Sequence, residues 1–163
     1  MTSLPGSTGR TRPFVVGGLV ILLDQVTKWW ALARLDDGAI EVIWTLRLRL
    51  AFNSGMAFGT GQGWGPVIAV AAFVVVVLLA RSLWAQRSGS SAIALGLLIG
   101  GATGNLADRI FRSPGPFRGS VVDFIDFGWF PVFNVADIAI NVGAALLVLT
   151  LFIESRRRDE SAQ

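Results

Sequence analysis

The sequence predicts a membrane protein of four transmembrane helices with a small β-sheet at its outer face. Hydrophobic residues fill 53% of the 163 positions, and the mean hydropathy is +0.61, well above a soluble domain of this size. Charged residues, only 15% of the chain, are gathered in short blocks between long apolar runs. The run Leu46-Arg47-Leu48-Arg49-Leu50 alternates with a period of two, which marks a strand with one apolar face.

Residues 1–13 carry Pro5, Gly6, Gly9, Pro13 and two arginines and are expected to form a disordered cytoplasmic tail. The first span covers 14–34. Its basic start, apolar run and Ala31-Leu32-Ala33 have features of a secretory signal. Asp24, Lys28, Trp29 and Trp30 interrupt that pattern, so the segment is expected to stay as a span. Residues 35–65 form the first loop. Its strand pattern over 41–52 runs into Asn53-Ser54-Gly55-Met56-Ala57-Phe58-Gly59 and further glycines, too many to prolong a strand or start a helix. A small sheet at the membrane surface fits this pattern.

The second span, 66–84, opens at Pro66 and is rich in Val and Ala. Arg81, Arg87 and the Ser/Gly run 88–91 read as a short basic turn. The third span, 92–108, has Gly100 and Gly104 at the spacing that lets two helices approach closely. A second long loop, 109–134, leads to the fourth span, 135–153. The basic tail 154–163 with Arg156, Arg157 and Arg158 follows, so 14–153 is one four-span domain. An even number of spans puts both termini on one side. Arg10, Arg12, Arg81, Arg87 and the last arginine block then share that side, which the positive-inside rule makes cytoplasmic. Both long loops fall outside. Arg47, Arg49, Arg109, Arg112 and Arg118 go with them, so the bias is not clean.

Composition narrows the chemistry. The net charge of +3 arises from arginines beside spans and does not indicate nucleic acid. Without cysteine there is no disulfide or thiolate nucleophile, and without histidine no Ser-His-Asp triad and no H-E-x-x-H zinc site. An all-carboxylate metal site stays conceivable. Carboxylates are therefore the leading candidates. Asp123 follows two valines in the second loop, and Asp137 opens the fourth span, where a carboxylate is costly unless it has a role. Two aspartates brought together share a proton, one activating water and the other polarising a carbonyl. The alternative is a pair of caps, since a helix N-terminus favours Asp137 in any case. Asp126 reads as an ordinary exposed loop acid. Asp24 and Lys28, four apart, share a helix face as an internal ion pair or as a support for an outer-face site. Asn105, Asp108 and Arg109 share a face at the end of the third span, either as caps or as a polar shelf that holds a substrate backbone or the loop beneath it.

Five blocks in this order resemble the lipoprotein signal peptidase (signal peptidase II) family of bacterial membrane aspartyl peptidases. They are Asp24-Gln25-Val26-Thr27-Lys28, Asn53 to Gly59, Gly100 to Arg109, Val121-Val122-Asp123-Phe124, and Phe130 to Asp137. The resemblance implies that Asp123 and Asp137 are the catalytic dyad. It implies substrate-binding or dyad-positioning roles for Asn53, Gly55, Asn105, Asp108, Arg109, Asn134 and Ala136, with Asp24 and Lys28 structurally important, and neither metal nor cofactor. It also implies a sheet that forms a cradle and a short loop helix, both at the outer face of the bacterial cytoplasmic (inner) membrane. The substrate implied is a prolipoprotein cleaved just before a diacylglyceryl cysteine, handled by a monomer in contact with membrane lipid. The stretch Phe111 to Gly119 is longer and richer in Pro and Gly than the family's link, which affects the expected place of the loop helix.

Three other readings compete, of which a structural membrane subunit would not explain why polar residues concentrate at one face. In a serine–lysine peptidase, Lys28 would activate Ser54. In a small transporter, Asp24, Lys28 and Asp108 would line a pathway, but the spans show no inverted repeat.

Overall fold

The computed structural model describes residues 8–55, 64–85 and 90–161. The elements run α1 (Thr8–Arg34), β1 (Ile40–Ile43), β2 (Leu46–Asn53), α2 (Gly65–Ala85), α3 (Ser90–Phe111), β3 (Val121–Asp126) and α4 (Val135–Ser161). Helices α1, α2 and α4 are each long and apolar enough to cross a membrane. Leu19, Leu22, Val70, Phe73, Val148 and Leu151 stand exposed along them. Such a surface suits lipid and not water.

Helix α3 differs. Its apolar run is diluted by glycines and by Asn105, Asp108 and Arg109. It tolerates them because it packs on α1, α2 and α4 at once, so that no side chain from Ser91 to Ile110 is fully exposed. The small-residue spacing is used against α1. A Cβ on Gly100 would lie 2.7 Å from the Gly17 carbonyl oxygen, and one on Gly104 would lie 2.5 Å from Asp24 Oδ2. Any larger residue at 104 would push the first and third helices apart where the polar groups meet.

The strands form one antiparallel sheet in the order β1-β2-β3. The segment expected as one strand is a hairpin, turning at Trp44-Thr45. Across β2 and β3, Arg47 faces Asp126, Ala51 faces Asp123 and Asn53 faces Val121, with a register shift between Leu48 and Ala51. Leu48, Leu50, Ile125 and Val135 pack on buried Ala31, Leu35 and Phe124, which seats the sheet on the end of α1.

Several expectations need correction. The second long loop carries a strand, and the short loop helix expected at the outer face is not found among its described residues, 112–134. Val121, Val122, Phe124 and Ile125 favour an extended backbone, and pairing with β2 completes their hydrogen bonds. Asp123 therefore sits on a strand and not in a loop. The expected disordered tail is helical from Thr8 onwards, with Pro13 inside the helix and its backbone close against Gly96 of α3. The basic tail also continues α4 to Ser161. Ser90 and Ser91 open α3 instead of belonging to the turn. The glycine-rich stretch 56–63 and the turn residues 86–89 lie outside the described residues.

Candidate active site

The site grows from a buried lysine. Lys28 Nζ lies 2.9 Å from Asp24 Oδ2 and 2.9 Å from Asp108 Oδ2, and it donates at 2.9 Å to Asn105 Oδ1. Three acceptors use all three ammonium protons. Arg112 Nε closes on Asp108 Oδ1 at 2.7 Å, so two carboxylates meet two cations and the group is neutral as a set. Neutrality matters here, since Asp24, Lys28 and Asp108 are almost wholly buried and an unpaired charge would be costly. The spacing of Asp24 and Lys28 revealed their pairing. The part played by Asp108 did not show in the sequence, because it comes from another helix.

From this base, contacts run to two other elements. Asp24 Oδ1 accepts the Ala136 backbone N–H at 3.0 Å and so holds the first turn of α4. Asp108 Oδ2 accepts the Val122 N–H at 3.1 Å and fixes β3 next to Asp123. Gln25 joins them, donating to Asp24 Oδ2, the Gly104 carbonyl and Asp108 Oδ1. Gln25 and Arg112 were not singled out from the sequence, although Arg112 stands four residues after Asp108, the spacing of a helical ion pair.

Asn134 and Asp137 form a reciprocal cap on α4. The Asp137 N–H donates to Asn134 Oδ1 at 3.0 Å, and the Asn134 N–H donates to Asp137 Oδ2 at 3.2 Å. The capping alternative is thus real, but it does not exhaust the pair. Asn134 Nδ2 also donates to Asp123 Oδ1 at 2.6 Å and to Asn105 Oδ1 at 3.0 Å, while Asn105 Nδ2 donates to Asp137 Oδ1 at 2.8 Å. One amide thus bridges the two aspartates and a second steadies one of them. Burial pushes the Asp123 carboxyl up to about 7, and the nearby Asp137 charge adds to this. Asn134, Lys28 and Asn53 pull the other way.

Asp123 and Asp137 line a groove of about 1210 Å³ together with Asn53, Gly55, Asn105 and Arg109. Apolar side chains from α2, α3 and α4, among them Ile68, Val75, Leu98 and Ile138, continue it away from the polar end. Trp129, Phe130 and Phe133 also line it, within an aromatic cluster that includes Phe127. Asn53 Oδ1 accepts the Gly55 N–H at 3.1 Å, and Arg109 Nη2 donates to the Gly55 carbonyl at 2.7 Å. The polar shelf therefore holds a loop. Arg109 Nη1, also buried, has no hydrogen-bond partner among the described residues.

Asp126 corrects an expectation, for it is 1% exposed. Both Arg47 Nε and Arg49 Nε reach its Oδ2, and Gly128 N–H donates to its Oδ1 at 2.7 Å. Burial would raise this carboxyl, but the bonds from Arg49, Gly128 and Arg47 prevail and hold it at about 2. It is a clamp between β2 and β3 on the strand that carries Asp123. Ser54 lies on the groove, but Lys28 is consumed by three other acceptors, which removes the base that a serine–lysine pair needs. No group of three or more acidic residues among those described is arranged to hold a metal ion.

Comparison with known proteins follows this geometry. A family model described as signal peptidase (SPase) II matches residues 16–153. A lipoprotein signal peptidase of Rhodococcus jostii is 45% identical over 147 residues, covering 86% of this chain and 72% of its own. One from Streptomyces coelicolor is 46% identical over 142 residues, covering 85% of this chain and 69% of its own. A bacterial membrane enzyme solved by the in meso method at 2.3 Å superposes with a TM-score of 0.78 at 28% identity, over 88% of each chain. A second, solved at 1.9 Å, gives 0.72 at 29% identity, over 85% of this chain and 91% of that one.

Proposed function

The chain belongs to the signal peptidase II family, whose members cleave signal peptides from prolipoproteins, and from that premise we propose an aspartic endopeptidase that cuts just before a diacylglyceryl-modified cysteine. The observation that carries this reading is the Asn134 bridge: one side chain and its own N–H hold Asp123 and Asp137 on a common groove.

The chemistry follows from the unequal surroundings of the two carboxyls. Asp123, raised to about 7, is suited to carry the shared proton at neutral pH. Asp137 sits in the first turn of α4, where the helix dipole favours negative charge, and takes the proton of the attacking water. Asp123 donates to the scissile carbonyl oxygen as the tetrahedral centre forms. As the C–N bond breaks, the proton on Asp137 passes to the leaving amine and the gem-diol hydroxyl returns its proton to Asp123, so the pair regains its starting state. The dyad titrates as one unit throughout.

Arg109 Nη1, buried and without a partner among the described residues, suits a substrate backbone carbonyl. The apolar length of the groove suits a lipidated segment. A substrate anchored by its own acyl chains meets the dyad by local search, which lowers the entropic cost of encounter. This geometry needs α3 as a fourth span, a role supported by its position among the three apolar helices. The termini are then cytoplasmic, the groove's polar end faces outward from the bacterial inner membrane, and a monomer contains every residue invoked.

The test is cleavage of a synthetic diacylglyceryl prolipoprotein peptide by purified wild type, Asp123→Asn and Asp137→Asn. Both variants should lose on the order of 10²- to 10⁴-fold in rate. Full activity in either one would remove the dyad, while loss of activity in Ser54→Ala would revive the serine reading.

A further inference from the structure

The hairpin between β1 and β2 turns on Trp44, which is 99% exposed and has a φ of 56°. That left-handed backbone suits Gly or Asn and disfavours a bulky residue. Folding alone therefore gives no reason for tryptophan here. Its neighbours are also apolar and open to the outside, with Ile43 71% and Val42 52% exposed, on a strand at the edge of the sheet. An apolar edge of this kind is normally covered.

Two observations favour lipid as the cover. The hairpin begins at Ile40, six residues after α1 ends at Arg34, a link that spans about 20 Å at most. It cannot travel far from the bilayer that α1 occupies. Of the six tryptophans, Trp29, Trp30, Trp44, Trp64 and Trp129 lie at the groove's polar end and only Trp84 at the other. This is the distribution of an interfacial aromatic belt.

We propose that the hairpin tip is a lipid anchor, with Trp44 and Ile43 seated in the headgroup layer at the groove's end of the bundle. The anchor sets the height of the sheet, and with it Asp123 on β3, relative to the membrane surface. The site would then meet a bond whose depth is itself fixed by acyl chains. This inference rests on the proposed lipidated substrate only for its effect on rate. The anchoring itself is independent of it.

Trp44→Gly tests it cleanly, because glycine accepts the positive φ and should leave the melting temperature in detergent unchanged or higher. Wild type and variant are reconstituted, full length, in phosphatidylglycerol/phosphatidylcholine vesicles with brominated acyl chains. The lipid-quenched part of the tryptophan emission should fall in the variant by the share of one residue. Cleavage of the diacylglyceryl peptide should drop several-fold in vesicles and stay at the wild-type rate in detergent. Unchanged quenching overturns the anchor. So does an equal loss in vesicles and detergent, which would place Trp44 on the substrate, or a changed oligomeric mass by light scattering, which would place a second copy on the hairpin. If wild type fails to cut the peptide at all, the functional reading fails, while the quenching still decides the anchor.

Discussion

Asn134 donates from Nδ2 to Asp123 Oδ1 at 2.6 Å while also serving as the N-cap of the helix that carries Asp137. A structural device and the proposed catalytic one thus share a residue. The cap fixes where α4 begins, and the side chain that makes it also sets the strand-borne aspartate against the helix-borne one.

Asn134→Ala should therefore cost more activity than stability. Loss of an N-cap is worth about 1 kcal/mol, so the variant should fold with a modestly lower melting temperature. Its cleavage rate should fall at least ten-fold, since Asp123 and Asp137 lose their common tether. Asn105→Ala removes the Asn105 Nδ2 bond to Asp137 Oδ1 and the acceptor of both Lys28 and Asn134. The double variant should be less impaired than the two single effects multiplied, as expected for residues in one network. Strict multiplicativity in kcat/KM would show that the two amides act separately.

The second prediction concerns pH. The folded Asp123 carboxyl lies near 7, above its ordinary 3.8, because of burial and the Asp137 charge. The folded chain then holds this proton more tightly than the unfolded chain does. The destabilising cost of the charged form is absent below pH 3.8, grows as pH rises, and is complete above about 7. Asp123→Asn should match the wild-type melting temperature near pH 4 and exceed it at pH 8. Wild-type cleavage should decline as pH rises through about 7, when the dyad loses its shared proton. A stability gap between the two proteins that does not vary with pH would contradict the assignment.

What the sequence made legible was local. Asp24 and Lys28 at i,i+4, Gly100 and Gly104 at their packing distance, and the alternation of Leu46 to Leu50 each announce themselves within a few residues. Asp126 did not, since it looks like a solvated loop acid until β3 pairs with β2 and two arginines from 77 and 79 positions away close on one oxygen. The role of Asp108 was hidden for the same reason, as its partners Lys28 and Val122 come from other elements. The strand at Val121 to Asp126 escaped notice because it is buried on both faces and so lacks the alternation that marked β2. Composition and position singled out Asp123 and Asp137, with capping as the alternative, and the resemblance to the family implied that they are the dyad. The tether between them became visible only in three dimensions.

Lys28 offers a stability test that is separate from chemistry. Lys28→Met leaves Asp24 and Asp108 buried with Arg112 as the nearest compensating cation. Breaking such a pair costs about 3–5 kcal/mol, so the variant should melt far lower or fail to accumulate. Adding Asp108→Asn, which restores the charge balance by removing one carboxylate, should recover part of that loss. Thermal melts in detergent decide the matter. Equal instability of the single and double variants would mean that packing, and not charge, is what Lys28 supplies.

Arg109 separates binding from positioning. Its Nη2 holds the Gly55 carbonyl at 2.7 Å, and its buried Nη1 lacks a partner among the described residues. A buried unpaired donor destabilises the resting enzyme by about 1–3 kcal/mol, and a substrate carbonyl that fills it recovers that cost on binding. Arg109→Lys keeps the charge near the dyad but cannot present the planar fork that serves both contacts. It should raise KM several-fold with a smaller change in kcat, whereas Arg109→Ala should impair both, since the loop after β2 is released as well. Steady-state kinetics on the diacylglyceryl peptide distinguish these outcomes. A lysine variant with wild-type KM and reduced kcat would assign Arg109 to the dyad's electrostatics and leave the substrate backbone to other donors.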